Sequence, residues 1–206
     1  IPVQTGLGGG SSDGAAMLRV LNRICGSPLD RNRLIALGAI VGSDVPFFLG
    51  TSSVAFVHGR GERLRPLVPR SDLAGWIIMP AGSGVSTARA FASLDQAREE
   101  FGWTAMPEDE DALARAYAGK TSRWPFSNDF RAVMGELAPL YDALDALVAR
   151  TGGCFGTVSG SGSAYCVVTE KGDVVEHLGK ELKLFPHEIC LYPIKCLHVG
   201  HSDDTV

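Results

Sequence analysis

Gly6-Leu7-Gly8-Gly9-Gly10-Ser11-Ser12-Asp13 runs directly into Gly14-Ala15-Ala16-Met17-Leu18-Arg19-Val20-Leu21, and the reading of this junction decides the fold. Gly6, Gly8, Gly9 and Gly10 let the backbone take positive φ and let an anion come close to bare N–H groups. Ser11, Ser12 and Asp13 are all good helix N-cap types, and Leu18, Leu21 and Ile24 follow at helical spacing. A glycine loop feeding a helix N-terminus makes a phosphate site, because free N–H groups and the positive end of the helix dipole point the same way. A flexible turn capped by serine is the alternative that the loop alone leaves open.

Two common phosphate loops are excluded. A Walker A loop needs Gly-Lys-Ser/Thr, and the lysine nearest this loop is Lys120. The dinucleotide fingerprint needs a third glycine where this chain has Asp13. Downstream, Gly42-Ser43-Asp44-Val45-Pro46-Phe47-Phe48-Leu49 offers a carboxylate that can accept the proton of a hydroxyl attacking a γ-phosphate. Asp44 before Val-Pro also suits a turn cap. Gly84-Val85-Ser86-Thr87-Ala88-Arg89-Ala90-Phe91 follows a predicted strand at Gly75-Trp76-Ile77-Ile78-Met79-Pro80. Phe91 reads equally as a core residue of a helix starting near Ser86. Asn128-Asp129-Phe130 reads as a helix cap or as a ligand contact. Val158-Ser159-Gly160-Ser161-Gly162-Ser163-Ala164 lies between two apolar runs and predicts a hairpin turn.

Together these stretches resemble the GHMP kinase superfamily, small-molecule kinases acting on galactose, homoserine, mevalonate and phosphomevalonate. The spellings Gly-Gly-Gly-Ser-Ser-Asp and Asp-Val-Pro-Phe-Phe are most similar to its 4-diphosphocytidyl-2-C-methyl-D-erythritol kinase family. The resemblance implies an α+β, two-domain fold: residues 1–70 as the remainder of an N-terminal α/β domain that binds ATP, then residues 71–206 as a ferredoxin-like C-terminal domain. It implies that Pro2, Gly6, Leu7, Gly8, Gly9, Gly10, Ser11 and Ser12 bind the nucleotide. Asp44 is then the catalytic base. Phe91 lies by a cytosine pocket, where an aromatic face stacks on a base, and Ser159 and Gly160 bind substrate. The implied reaction transfers phosphate from ATP to the 2-hydroxyl of the diphosphocytidyl sugar alcohol, on the route to isoprenoid precursors. Mg2+ would accompany ATP, with no metal ligand assigned to the chain.

The sequence departs from the family pattern in three respects. Ser43 stands for alanine, and Gly14 stands for alanine in the first helix. The chain opens at Ile1 without the family's early lysine-bearing strand and its Asp-Gly-Tyr-His segment, as a fragment would. The only lysines are Lys120, Lys171, Lys180, Lys183 and Lys195, so the expected cationic partner of the phosphates is missing and the chain by itself is expected to be inactive. A homoserine- or mevalonate-type kinase, or a nucleotide-binding module without catalysis, are the alternatives.

Length and composition agree with a soluble enzyme. The 206 residues are 45% hydrophobic, enough for a buried core, and the net charge of −4 without a basic stripe gives no electrostatic basis for binding nucleic acid. Apolar runs are strand-sized, so no membrane partner is expected. Cys25, Cys154, Cys166, Cys190 and Cys196 form no Cys-x-x-Cys pair, which points to a reducing cytoplasm. The histidines have no metal-ligand spacing except His198 and His201.

Further elements are predicted from periodicity. A second helix is capped by Asp30, and short strands lie near 54–58 and 62–67. Pro66, Pro69 and Arg70-Ser71-Asp72 mark a boundary. An acidic helix follows Pro107, with residues 102–111 as an exposed loop and helix start. A helix through Leu137, Leu140, Tyr141, Leu144, Leu147 and Val148 has 3–4 spacing. An amphipathic helix near 174–184 and a strand at 188–199 close the chain.

Overall fold

The computed structural model describes residues 1–82, 84–102 and 109–195. They form two compact units: residues 8–70, and residues 1–7 together with 71–195. The fold is mixed helix and sheet, as the α+β reading requires.

In the smaller unit, α1 (Gly9–Ile24), α2 (Arg31–Val41) and the short α3 (Val45–Leu49) precede a hairpin of β1 (Ala55–His58) and β2 (Arg63–Pro66), paired from Ala55↔Pro66 to His58↔Arg63. Asp30 caps α2 as predicted: its Oδ1 accepts from Arg33 N–H at 2.9 Å. Ala15, Val45 and Leu49 form a small buried core with Leu18, Leu34, Ile35 and Phe48 against it. Two helical glycines shape that core. A Cβ on Gly38 would come 2.6 Å from Leu49 Cδ1 and 3.1 Å from Val45 Cγ1, so α3 packs on α2 over a glycine. A Cβ on Gly14 would sit 3.6 Å from Val45 Cγ2, an ordinary contact.

The first helix differs from its expected form in two ways. Ser11, Ser12 and Asp13 do not cap it. The cap is Gly8, in the left-handed region at φ 69°, and both serines lie inside the first turn. Glycine serves there because a Cβ would meet Phe48 Cζ at 2.9 Å. Leu18, Leu21 and Ile24 also do not share one buried face. Leu18 packs on the core, whereas Leu21 and Ile24 are 49% and 75% exposed, on a stripe with Met17 and Val20. Their period reports an amphipathic helix with a second apolar face.

The larger unit holds β3 (Ala74–Pro80), α4 (Thr87–Phe101), α5 (Glu110–Ala118), α6 (Ala138–Thr151), β4 (Phe155–Val158), β5 (Tyr165–Thr169), α7 (Gly172–Lys183) and β6 (Ile189–Lys195). The sheet order β4-β5-β3-β6, antiparallel at every step, is the ferredoxin-like arrangement. Alternation in β5 sends Tyr165, Val167 and Thr169 inward. There Tyr165 and Val167 join Ile78 of β3, Leu140, Tyr141, Leu144 and Leu147 of α6, and Leu178 and Leu182 of α7 in one core. Trp76 locks α7 to the sheet: its indole N–H donates to Val175 O at 3.0 Å, and Gly179 leaves the room its ring needs. The predicted final strand is observed over Ile189–Lys195; its remainder, His198, His201 and residues 103–108 of the acidic loop lie outside the described residues.

Candidate active site

The glycine loop enters α1 with its amides uncommitted to the helix. Ser12 N–H makes the first helical bond, to Gly8 O at 2.9 Å, which leaves the amides of Gly9, Gly10 and Ser11 without helical acceptors. No acidic residue lies in this first turn, and a Cβ on Gly10 would meet nothing within 4 Å. Open backbone, three amides and a dipole end without an opposing carboxylate fit a phosphate group. Ser12 Oγ donates to Gly9 O at 2.8 Å, so its proton is held within the turn.

Asp44 belongs to the same unit. It occupies the N-cap position of α3, yet its side chain makes no capping bond. Among the described residues its exposed carboxylate has no hydrogen-bond or ion-pair partner. The cap reading therefore does not account for it. The next residue, Val45, is buried in the core with Ala15 of the first α1 turns, so packing ties the Asp44 backbone to the helix that carries the loop. Arg19 of α1 donates to Phe48 O at the end of α3 and fixes the two helices again.

Gly61, in the β1–β2 turn, is the residue of this unit that sequence reasoning missed. It is buried at φ +114° against the Ser43 backbone. The Gly59-x-Gly61 spacing in a predicted turn was the available signal.

Residues 1–7 are built into the larger unit. Gln4 O accepts from Val85 N–H (3.2 Å) and Ser163 N–H (3.3 Å), and the buried Thr5 accepts at O from Ala164 N–H (2.9 Å). Ser159 Oγ donates to Gly6 O at 2.9 Å, and a Cβ on Gly6 would fall 2.0 Å from Ser159 O. The structure thus brings Gly6 together with Ser159 and Gly160. Pro2, Gly6 and Leu7 fall in the larger unit, whereas Gly8, Gly9, Gly10, Ser11, Ser12 and Asp44 fall in the smaller one.

The Ser159–Ser163 stretch is the predicted hairpin turn, closed by Ser159 N–H to Ala164 O at 2.8 Å between β4 and β5. Tyr141 OH donates to Ser163 O at 2.9 Å from inside the core; burial pushes its hydroxyl up to about 12. Thr87 and Ser161 hydroxyls lie 3.1 Å apart, joining the start of α4 to this turn. Phe91 is not a core residue: it is 51% exposed and meets Phe130 edge-to-face, centroids 4.9 Å apart. Asn128 caps a short 3-10 helix through Phe130 N–H and also reaches the turn. Among the described residues no group of three or more His, Cys, Asp or Glu side chains could hold a metal ion. None of their helices is long and apolar enough to cross a membrane.

Comparison with known proteins agrees with this geometry. The sequence profile "GHMP kinases N terminal domain" matches residues 1–52, the segment that holds the glycine loop and Asp44. The chain is 39% identical over 168 residues to a 4-diphosphocytidyl-2-C-methyl-D-erythritol kinase of Treponema pallidum (strain Nichols), an overlap of 79% of this chain and 57% of the relative. It is 39% identical over 186 residues to the kinase of that name from Nocardia farcinica, covering 88% of this chain and 59% of the relative. The chain thus spans less than two thirds of the length of these relatives. A crystal structure of 4-(cytidine 5'-diphospho)-2C-methyl-D-erythritol kinase superposes with a TM-score of 0.61 at 28% identity, over 95% of this chain and 68% of that one. Motif, sequence and fold agree: residues 1–52 match the GHMP kinase N-terminal domain, and over its length the chain is similar to kinases of that superfamily.

Proposed function

We propose that this chain carries the phosphate loop and the base of an ATP-dependent kinase that phosphorylates the 2-hydroxyl of 4-diphosphocytidyl-2-C-methyl-D-erythritol, as the names of its relatives suggest. The observation that carries the reading is Asp44: a carboxylate without a structural partner, one residue from a side chain packed on the helix of the glycine loop.

In this reading the amides of Gly9, Gly10 and Ser11 bind phosphate oxygens of ATP, and Pro2, Gly6, Leu7, Gly8 and Ser12 complete the nucleotide-binding stretch. A hydroxyl of Ser11 or Ser12 would add to a phosphate or to the Mg2+ that accompanies ATP, which would supply neutralisation of phosphate charge. The substrate oxygen forms a bond to the γ-phosphorus as the bond to the β–γ bridging oxygen breaks. Asp44 takes the proton of the attacking hydroxyl, and ADP leaves. Phe91 stacks on the cytosine, and Ser159 and Gly160 line the acceptor side. Unpaired Cys25, Cys154, Cys166 and Cys190 support a cytoplasmic location.

A second reading, a nucleotide-binding module without catalysis, is favoured by one observation: the first lysine is Lys120, so residues 8–70 offer no lysine to the phosphates. ADP release by the complete gene product, with the diphosphocytidyl alcohol, homoserine and mevalonate offered in parallel, separates the readings. Turnover with only the first supports the kinase. ATP binding without turnover of any of the three supports the module.

A further inference from the structure

One side chain in the larger unit holds three backbone groups. Asn128 Nδ2 donates to Val158 O and to Gly160 O, each at 2.8 Å, and Asn128 Oδ1 accepts from Phe130 N–H at 3.0 Å. Both amide hydrogens and one acceptor site are therefore committed to backbone. The two carbonyls flank Ser159, in a turn where Gly160 and Gly162 both have positive φ (50° and 84°). The third partner begins the residue whose ring meets Phe91 at 4.9 Å and 89°. Asn128 thus fixes the Ser159–Gly160 turn and the Phe91–Phe130 pair from a single point.

We infer that Asn128 is a positioning residue for the acceptor substrate, touching no ligand and aligning Phe91, Ser159 and Gly160 with one another. The inference rests on the proposed function for the ligand that these residues meet. Only an amide of this length serves. A carboxylate has no protons for the two carbonyls, and an aliphatic side chain leaves both carbonyls and the Phe130 N–H unsatisfied.

Asn128→Asp tests this, because it keeps the shape and the acceptor for Phe130 N–H while removing both donors. Loss of such bonds is expected to speed amide exchange of residues 159–164 by about tenfold or more relative to the core strands. In the same variant KM for the diphosphocytidyl alcohol should rise about tenfold, with KM for ATP within about twofold of wild type. A merely structural role would not separate the two KM values. Phe130→Leu keeps the amide and removes the ring, so it should raise the acceptor KM without changing exchange at 159–164.

Unchanged exchange in Asn128→Asp overturns the brace. Faster exchange with both KM values unmoved, or moved together, overturns the positioning role. Should the wild type turn over none of the alcohols, the function reading fails separately. Calorimetric binding of cytidine diphosphate and ADP then reads the same split. About tenfold weaker binding of the cytidine nucleotide alone supports the inference, and equal effects or no binding of that probe by wild type overturns it.

Discussion

Gly61 stands against Ser43 with no room for a side chain: a Cβ on Gly61 would lie 1.6 Å from the Ser43 carbonyl oxygen and 2.6 Å from its carbonyl carbon. The hairpin turn is thereby a stop for the backbone one residue before Asp44. Gly61→Ala adds both the clash and the cost of an L side chain at φ +114°. The Asp44 segment must shift, and a displacement on the order of 1 Å at a catalytic group costs about 10²-fold in rate. Steady-state kinetics should show kcat lowered by roughly that factor, with ATP affinity retained because the α1 loop is untouched. An unchanged kcat would remove the turn from the account.

The two helical glycines that meet α3 predict opposite signs. Gly14→Ala gains helix propensity, up to about 1 kcal/mol, and its methyl finds ordinary contacts with Val45 and Val41. Gly38→Ala gains the same propensity but drives a methyl to 2.6 Å from Leu49 Cδ1, and overpacking costs about 1–3 kcal/mol. Urea unfolding should show the first variant more stable than the parent and the second less stable.

Much of this was legible in the sequence, and the misses have physical causes. Asp30, the 3–4 spacing of Leu140, Tyr141, Leu144 and Leu147, and the hairpin around Gly160 are local signals, fixed by capping chemistry and periodicity. Ser11 and Ser12 misled because they are cap types, while the steric demand of Phe48 at Gly8 is a contact between residues far apart in the chain, invisible to local reading. Gly61 against Ser43 and Asn128 against Val158 and Gly160 are likewise long-range pairs. The resemblance supplied Asp44; the structure added that its carboxylate has no capping duty.

Alkaline pH should loosen the glycine turn through Tyr141. Burial raises its hydroxyl to about 12, above the ordinary tyrosine value near 10. A raised folded pKa means that this contribution to stability is complete below pH ~10 and is lost as pH climbs through about 12, when the phenolate can no longer donate to Ser163 O. Thermal melts from pH 9 to 12 should fall in the parent, and Tyr141→Phe should be less stable at neutral pH by about 1–3 kcal/mol, with a shallower decline over that window.

ADP release by Asp44→Asn in the complete gene product, with nucleotide affinity measured on the same sample, tests Asp44 as the base. Loss of a general base lowers kcat by about 10²–10⁴. A loss of at least that order is expected with ATP binding largely intact, since the amides of Gly9, Gly10 and Ser11 remain. Turnover near the parent rate would contradict the assignment of Asp44 as the base.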